Sequence, residues 1–460
     1  MTKKTQIILL SALALFFFLT APAVVLYSQG YRFDFDAKKI VQTGGLFLKI
    51  SPSSAEVYLD KKLVKKTNFL LDAVLVQDLL PQKYLVEIKK DGYFGWEKEL
   101  TIDKKQVTEV KNITLIPENL EFNVLLKNIE KAWLLPDQKK VLLKEQEENG
   151  WSLKLFSLDK IIKSHLIESK EISRFESELL DLKFSSDSKT VLLKLGLKEQ
   201  IKYYVIDLTK SPAGLISLDF LDPLVEQISF NPRNPLELFF LKGGQLYRVD
   251  LTTRQTVPSP LDDIFIYQLS DKWFYYLDQS GNLFNSDFSF NSQTKLSNSP
   301  LSLRAETNHE LEIKGDLIFF KEADETYRFD YALKSFIKWE GKDISLELSP
   351  DSKKIVNADN HEIWVFFLKD TDDQPVKKAG ASLFLTRFSE AIDQVYWLNS
   401  NYLIFNSGDK IKVAEIDERD KINIYNLAEF KDLEFFWNYI NKRIYVLSDG
   451  NFYQSGVVLK

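Results

Sequence analysis

The sequence predicts an all-β protein: an N-terminal transmembrane helix, a small β-sandwich, and a large β-propeller of seven or eight blades. The first observation behind the propeller is a turn motif that reads LPDQKK at 135–140, SSDSKT at 185–190 and SPDSKK at 349–354. Pro, Ser and Asp favour tight turns, and the flanking β-rich runs indicate hairpins. The second observation is a polar turn followed by a β-rich strand, which recurs eight times between Gly150 and Gly450 at a mean spacing of about 43 residues. This period is typical of four-stranded blades.

Composition limits the classes of function that the chain can perform. Residues 28–117 carry a net charge of +3 and residues 118–460 a net charge of −11, which argues against nucleic acid as a partner. The chain has no cysteine, so disulfides, thiolate nucleophiles and zinc–thiolate sites are excluded. The same absence fits an oxidising, extracytoplasmic location. Three histidines leave little material for metal or acid–base sites.

The N-terminal segment is predicted to be a signal-anchor helix over residues 7–27. This run of 21 residues has no charge, about the length that spans a bilayer, and Lys3 and Lys4 precede it. Residues 1–6 are therefore expected in the cytoplasm, with a single pass through the cytoplasmic membrane and the later domains outside the cytoplasm. Cleavage after Ala23 is the alternative. The apolar run continues four residues beyond Ala23, which favours an uncleaved anchor.

A linker over 28–43 and a small β-sandwich over 44–117 are predicted next. Alternating runs such as LFLKI at 46–50 and YLVEI at 84–88 are separated by turn residues, which favours short paired strands. The segment resembles the PEGA domain, whose Pro–Ala, V-Y-L-D hairpin and late G-Y-x-x-W it shares through Pro52, Ala55, Asp60, Gly92, Tyr93 and Trp96. It departs from that pattern at Ser53, Ser54 and Gln82. The QGYRFDF stretch at 29–35 is similar to the leader of membrane-anchored bacterial PEGA proteins. The resemblance implies an envelope module without catalytic residues.

The propeller is predicted over 121–460, with eight blades or, because the repeats between 296 and 340 are degenerate, seven. The strand EFNVLL at 121–126 precedes the first full blade, and we expect it to complete the last one. The turns resemble the S-P-D-G-K motif of WD-like propellers such as that of the bacterial Tol translocation system. Here Gln138, Ser188 and Ser352 replace the glycine, which implies left-handed backbone at non-glycine residues.

The search for chemistry yields no catalytic, cofactor-binding or metal-binding residue. The sequence has no G-x-S-x-G, H-E-x-x-H or Walker motif. Several residue groups have both a functional and a structural interpretation, and the structural one is favoured for each. They are Asp370, Asp372 and Asp373 as a calcium loop, Tyr93, Phe94 and Trp96 as a sugar platform, Lys61, Lys62, Lys65 and Lys66 as an anion-binding cluster, and His361 as a ligand.

The predicted function is that of a membrane-anchored, extracytoplasmic binding or scaffold protein, not an enzyme and without a cofactor. Its propeller is expected to recognise an envelope protein or a cell-wall polysaccharide, because loops on a rigid frame form binding faces. Two alternatives stay open. One is a glycan hydrolase with carboxylates in the central funnel. Acidic residues in that funnel whose pKa values are shifted in opposite directions would favour this alternative. The other is a purely structural envelope component.

Overall fold

A computed structural model of the chain describes residues 3–35, 38–68, 72–198, 200–210, 213–221, 224–304, 307–339 and 345–459. Within these residues the protein is built almost entirely of β-strands, with one long helix at its N-terminus. The predicted fold class is therefore confirmed. The predicted cytoplasmic segment 1–6 starts with two residues that lie outside the described part of the chain.

The N-terminal helix α1 (Lys3–Ser28) extends slightly beyond the predicted run. Within Lys4–Ser28 an 18-residue window has a mean hydropathy of 2.5, and the length and composition of the helix would allow it to cross a membrane. The predicted linker 28–43 contains a hairpin, formed by β1 (Tyr31–Asp34) and β2 (Lys39–Gln42) in antiparallel pairing. Alternating residues in both segments allow this pairing, so the linker is structured.

Seven strands form the small sandwich. One sheet has the order β6-β3-β9 and the other β5-β4-β7-β8. The strands are β3 (Gly44–Ser51), β4 (Glu56–Leu59), β5 (Lys62–Lys66), β6 (Ala73–Leu79), β7 (Lys83–Lys89), β8 (Trp96–Thr101) and β9 (Val107–Thr114). Alternation places Leu46, Leu48 and Ile50 of β3 on the buried face, where they meet Val57 and Val86 of the opposite sheet. The two apolar faces thus supply the core of this unit.

Eight four-stranded antiparallel sheets follow in the described residues, so the propeller has eight blades rather than seven. Blades 1 to 4 comprise β11–β14 (Lys131–Leu134, Lys140–Glu147, Gly150–Ser157, Ile162–Glu168), β15–β18 (Ser177–Phe184, Thr190–Leu197, Gln200–Asp207, Gly214–Ser217), β19–β22 (Gln227–Asn231, Asn234–Lys242, Gln245–Asp250, Gln255–Pro258) and β23–β26 (Ile264–Leu269, Phe274–Asp278, Leu283–Ser286, Gln293–Lys295). Blades 5 to 7 comprise β27–β30 (His309–Lys314, Leu317–Glu322, Glu325–Asp330, Ser335–Lys338), β31–β34 (Ser345–Leu348, Lys354–Ala358, Glu362–Phe367, Ser382–Arg387) and β35–β38 (Val395–Asn399, Tyr402–Ser407, Lys410–Glu415, Ile424–Glu429). A short helix α2 (Ser169–Ile172) joins blades 1 and 2.

Blade 8 combines strands from both ends of the propeller sequence. Its order is β10-β41-β40-β39, with β39 (Glu434–Asn438), β40 (Arg443–Ser448) and β41 (Asn451–Ser455) from the end of the chain. The outermost strand is β10 (Phe122–Lys127), which pairs antiparallel with β41 from Phe122 opposite Ser455 to Lys127 opposite Asn451. The expected closure of the last blade by the early strand is therefore confirmed.

The three turn motifs have the left-handed residue that the sequence implied. Gln138, Ser188 and Ser352 have φ of 54°, 58° and 53°. Two of these side chains also join neighbouring blades. The Gln138 Oε1 accepts a hydrogen bond from the Tyr439 N–H at 2.8 Å, and the Ser188 Oγ accepts one from the Asp137 N–H at 2.9 Å. A glycine could not make these contacts, which gives the departure from the S-P-D-G-K pattern a structural role.

Candidate functional site

Each blade has two ends, and the small sandwich covers part of one end of the ring. In a four-stranded meander the connections between strands 1 and 2 and between strands 3 and 4 lie at the same end. The sandwich contacts such connections of blades 6 and 7, including Asn399, Gln374 and residues 417–423. We call this end the sandwich face and the opposite end the distal face.

The centre of the contact is a fully buried lysine. Lys98 of β8 is 0% exposed, and its Nζ lies 2.8 Å from a carboxylate oxygen of Glu415 at the end of β37. The same ammonium donates hydrogen bonds to the carbonyls of Asp417 at 2.7 Å, Arg419 at 2.9 Å and Lys421. All of its donors thus point into blade 7, which fixes the position of the sandwich on the ring.

A tryptophan completes the environment of Glu415. The Trp96 Nε1 donates to the second carboxylate oxygen at 2.8 Å, and the Asn423 side chain donates to the first at 2.8 Å. Burial raises the pKa of Glu415 above its ordinary value, although Lys98 and Trp96 act in the opposite direction. The predicted core role of Trp96 holds, since its ring is 1% exposed in the sandwich core. Its polar edge additionally binds the propeller.

Apolar and peripheral polar contacts widen this interface. Phe94 stacks on Tyr425 with ring centroids 5.1 Å apart, so the second aromatic of the suggested sugar platform packs against blade 7. The Thr114 N–H donates to the buried Tyr402 hydroxyl at 3.1 Å. The Arg419 guanidinium donates to the Glu109 carbonyl at 2.9 Å. The sandwich and the propeller are therefore joined over several strands.

A cavity of about 260 Å³ lies within this interface, between β9 and blades 6 and 7. Charged side chains of both signs line it, and they pair with one another: Lys111 with Asp373 at 3.3 Å, Lys354 with Asp351 at 2.7 Å, and Arg419 with Asp417 at 2.5 Å. Because the lining charges are already paired, the cavity offers no excess of either charge to a ligand.

The proposed calcium loop contributes to this same interface. Asp370 binds Lys378 at 2.7 Å, Asp372 lies 3.5 Å from Lys353, and Asp373 pairs with Lys111 of the sandwich. The three carboxylates thus each have a lysine partner, and two of these pairs lie within blade 6.

Other residues weighed in the sequence lie apart from the interface. The His361 N–H donates to the Asp359 side chain in an exposed turn of blade 6. In the lysine-rich hairpin, Lys66 binds Glu56 at 3.1 Å, and Lys65 donates to the Leu75 carbonyl. Tyr93 is half-buried and forms an isolated bridge with Pro117.

A cluster of ionisable groups occurs on two adjacent inner strands of the ring. Lys314 of β27 lies 3.0 Å from Glu312 on its own strand and 3.7 Å from Glu347 of β31. Burial raises the pKa of Glu347, and the charge of Glu312 adds to this effect. Burial also acts to raise the pKa of Glu312, but Lys314 and Lys321 outweigh it and hold that pKa below its ordinary value. The pKa values of the two acids are therefore shifted in opposite directions.

Three exposed apolar side chains occur on the distal face at blade 2. Phe175, Leu180 and Ile201 are 59%, 46% and 48% exposed, and we call these three residues the blade-2 patch. Leu180 packs beside Gly196, which pairs directly with Ile201, so Leu180 and Ile201 share one face of the sheet. A smaller cleft of about 80 Å³ lies further along the same blade, where Lys183, Lys194 and Tyr203 meet Glu226 of the connection to blade 3.

An acidic group that the sequence analysis did not single out occurs on blade 1. His165, Glu168 and Glu171 have side-chain donor atoms close enough to hold a metal ion. The two carboxylates of this cluster already have partners. The Glu171 carboxylate accepts a hydrogen bond from the Glu168 N–H at 2.9 Å, and the Glu168 carboxylate pairs with Lys170. The cluster is mostly exposed, so it gives no independent sign of a ligand.

Comparisons with known proteins find similarity only among solved structures, and at low sequence identity. No family model matches the chain, and no curated protein matches it. Among solved structures, the Dos1 propeller is 13% identical, with 74% of this chain and 96% of that chain covered and a TM-score of 0.46. The WD40 domain of SCAP from fission yeast is 10% identical over 74% of this chain and 94% of that chain, with a TM-score of 0.46. The computationally designed Ika8 protein is 15% identical over 71% and 96%, with a TM-score of 0.45.

The sequence analysis missed the buried Lys98, although β8 contains a signal for it. The strand reads WEKELT, and its alternation puts Lys98 on the same face as the buried Trp96 and Leu100. A lysine at an inward position requires a buried partner, because an unpaired buried charge is costly. Its partner Glu415 lies more than 300 residues away in the sequence, so only the fold could identify it.

Proposed function

We propose that this protein is a membrane-anchored, non-catalytic binding scaffold. The helix α1 holds the chain in the cytoplasmic membrane, and a PEGA-like sandwich outside the cytoplasm supports the propeller. The propeller binds a protein of the cell envelope through its distal face. The observation that carries this proposal is the buried Lys98–Glu415 contact, which joins the sandwich to one end of the ring. The opposite end, with the blade-2 patch, is then presented away from the sandwich.

The chemistry of the blade-2 patch favours a protein over a glycan. Leu180 and Ile201 have no hydrogen-bonding groups, whereas sugars need polar partners beside an aromatic platform. Exposed apolar side chains with charged neighbours are typical of protein-binding surfaces. The Lys198 ammonium, 3.5 Å from the centroid of the Phe175 ring, supplies such a charge at the edge of the patch.

The test is site-specific photocrosslinking of the full-length chain in cells. A photoreactive residue at Leu180 should capture a defined partner, and the variant F175S/I201S should lose it while its thermal melting is unchanged. Leu333 is the matched control, because it is 62% exposed and lies in a turn of blade 5 on the sandwich-face side. Equal capture of the same partner from Leu333 and Leu180 would contradict binding by the distal face.

The acids Glu312 and Glu347 support a second candidate, hydrolysis of a cell-wall glycan. A carboxyl of raised pKa and a carboxylate of lowered pKa are the pair that glycoside hydrolysis needs. Lys314 binds both groups, which equally fits an ion-paired cluster between blades 5 and 6. Turnover of wall polymer by the detergent-solubilised full chain, abolished in E347Q but not in E325Q, would support the hydrolase. Absence of turnover in the unmodified chain would exclude it for the polymers tested.

A further inference from the structure

The hairpin β1–β2 has an exposed apolar face immediately after the helix. Phe33, Phe35 and Ile40 are 49%, 82% and 60% exposed. Phe33 pairs directly with Ile40, so the two side chains lie on the same face of the hairpin. The rings of Phe33 and Phe35 are in edge contact, with centroids 5.1 Å apart. The three side chains thus form one continuous surface, which we call the hairpin face.

The opposite side of the same hairpin is polar. Arg32 pairs with Val41, and Asp34 pairs with Lys39, on the alternate register positions. Lys38 and Lys39 are exposed near the turn. The hairpin is therefore amphipathic across its two faces, although it is only four residue pairs long.

Several contacts hold the hairpin against the last turn of the helix. The Arg32 guanidinium donates to the Tyr27 carbonyl at 2.7 Å and lies 3.4 Å from the centroid of the Tyr27 ring. A second guanidinium nitrogen binds Asp78 of the sandwich at 2.8 Å. The Thr43 hydroxyl and N–H both donate to the Gly30 carbonyl at 2.8 Å. Since Arg32 directly precedes Phe33, the hairpin face starts beside the end of the helix.

The last turns of the helix, which directly precede the hairpin, are also apolar and exposed. Val25, Leu26 and Tyr27 are 52%, 39% and 62% exposed in the last helical turns. When α1 spans a bilayer, these residues lie at the surface of the bilayer. A hairpin fixed to Tyr27 then lies at the level of the lipid headgroups. Aromatic side chains concentrate at this level, and lysines beside them attract anionic lipid.

We infer that the hairpin face is a lipid-binding site that inserts into the headgroup region of the bilayer that holds the helix. The hairpin contacts glycerol backbones and upper acyl chains through Phe33, Phe35 and Ile40. Lys38 and Lys39 lie at the phosphates. This inference rests on the proposed membrane anchoring of α1, and it adds a second contact that fixes the tilt of the sandwich on the membrane.

The absence of cysteine makes a depth measurement straightforward, because each introduced cysteine carries a unique label. Full-length variants F35C, L15C and L63C would be spin-labelled and reconstituted into phosphatidylcholine vesicles with a minor fraction of phosphatidylglycerol. The accessibility of each label to oxygen, which concentrates in lipid, is compared with that to a water-soluble nickel chelate. Leu15 reports the middle of the helix. Leu63, which is 56% exposed on the sandwich, reports a water-facing apolar residue.

We expect the nickel chelate to reach the label at residue 35 several-fold less than the label at residue 63. The accessibility of the label at residue 35 to oxygen should lie between those of the labels at residues 15 and 63. Equal nickel access at 35 and 63, with residue 15 still in lipid, would overturn the inference and leave the anchor intact. A label at 35 shielded from both reagents would indicate a protein contact and also overturn it. Nickel access at residue 15 would contradict the anchor itself.

Discussion

Removal of the Lys98 ammonium should weaken the attachment of the sandwich to the propeller. The substitution K98M keeps most of the side-chain volume but removes the charge and the ammonium donors that bind Glu415 and the three carbonyls of blade 7. Glu415 is only 4% exposed, so its carboxylate would stay buried without a cation. Breaking a buried pair on one side costs about 3–5 kcal/mol. We expect K98M to lower the free energy of unfolding by roughly that amount.

The measurement is urea denaturation of the full-length chain in detergent micelles, followed by circular dichroism. The matched control is K421M, because Lys421 pairs with Glu97 across the same interface at 2.8 Å but is 53% exposed. An exposed pair contributes about 0–1 kcal/mol, so K421M should change little. The double variant K98M/E415L removes the unpaired buried charge and should recover part of the loss. The recovery is partial because the Trp96 and Asn423 donors then lack their acceptor. Equal unfolding midpoints for K98M and K421M would refute the reasoning.

Three other changes probe the ring. Replacement of residues 121–126 by a Gly/Ser segment of equal length removes the outer strand of blade 8. We expect calorimetry to show a broad and less cooperative unfolding transition. An unfolding transition as sharp as that of the unmodified chain would contradict closure by this strand. Q138A should destabilise the ring by about 1 kcal/mol in thermal melts, because it loses the hydrogen bond to the Tyr439 N–H. Q138G loses the same bond but also relieves the strain of the left-handed backbone at residue 138, so it should be nearly neutral. The raised pKa of Glu347 contributes stability that is fully present below about pH 4.5 and is lost as pH rises through its folded-state pKa. The difference in melting temperature between E347Q and the unmodified chain should therefore increase in favour of E347Q above pH 4.5. A difference that does not change with pH would contradict this prediction.

The fold was largely predictable because its signals are local. The turn at Asp187 is defined within six residues, where the Ser185 hydroxyl donates to its carboxylate at 2.7 Å and the Lys189 N–H donates at 3.1 Å. Hydropathy alone identified α1, and repetition alone gave the blade period. Blade number was harder to predict, because the repeats between 296 and 340, which include β27–β30, are degenerate in sequence. The strands nevertheless pair in the same meander, because backbone hydrogen bonds between strands do not require a particular side chain.

The site was less predictable because it depends on contacts between distant segments. Asp372 and Asp373 suggested a cation site in isolation, and only the folded chain shows the lysines that they bind. The blade-2 patch gave no sequence signal either. Leu180 and Ile201 have the pattern of ordinary strand residues, and only the folded chain shows that both are exposed.

The strand order of blade 8 has a consequence for biosynthesis. Phe122 is synthesised more than 300 residues before its partner Ser455. Until then an open arc of blades has two unprotected sheet edges, which are prone to pair with other chains. A premature stop codon just before Asn451, which removes β41, would leave the arc permanently open. Such a product should be recognised by quality-control proteases even though nearly all of its blades are intact.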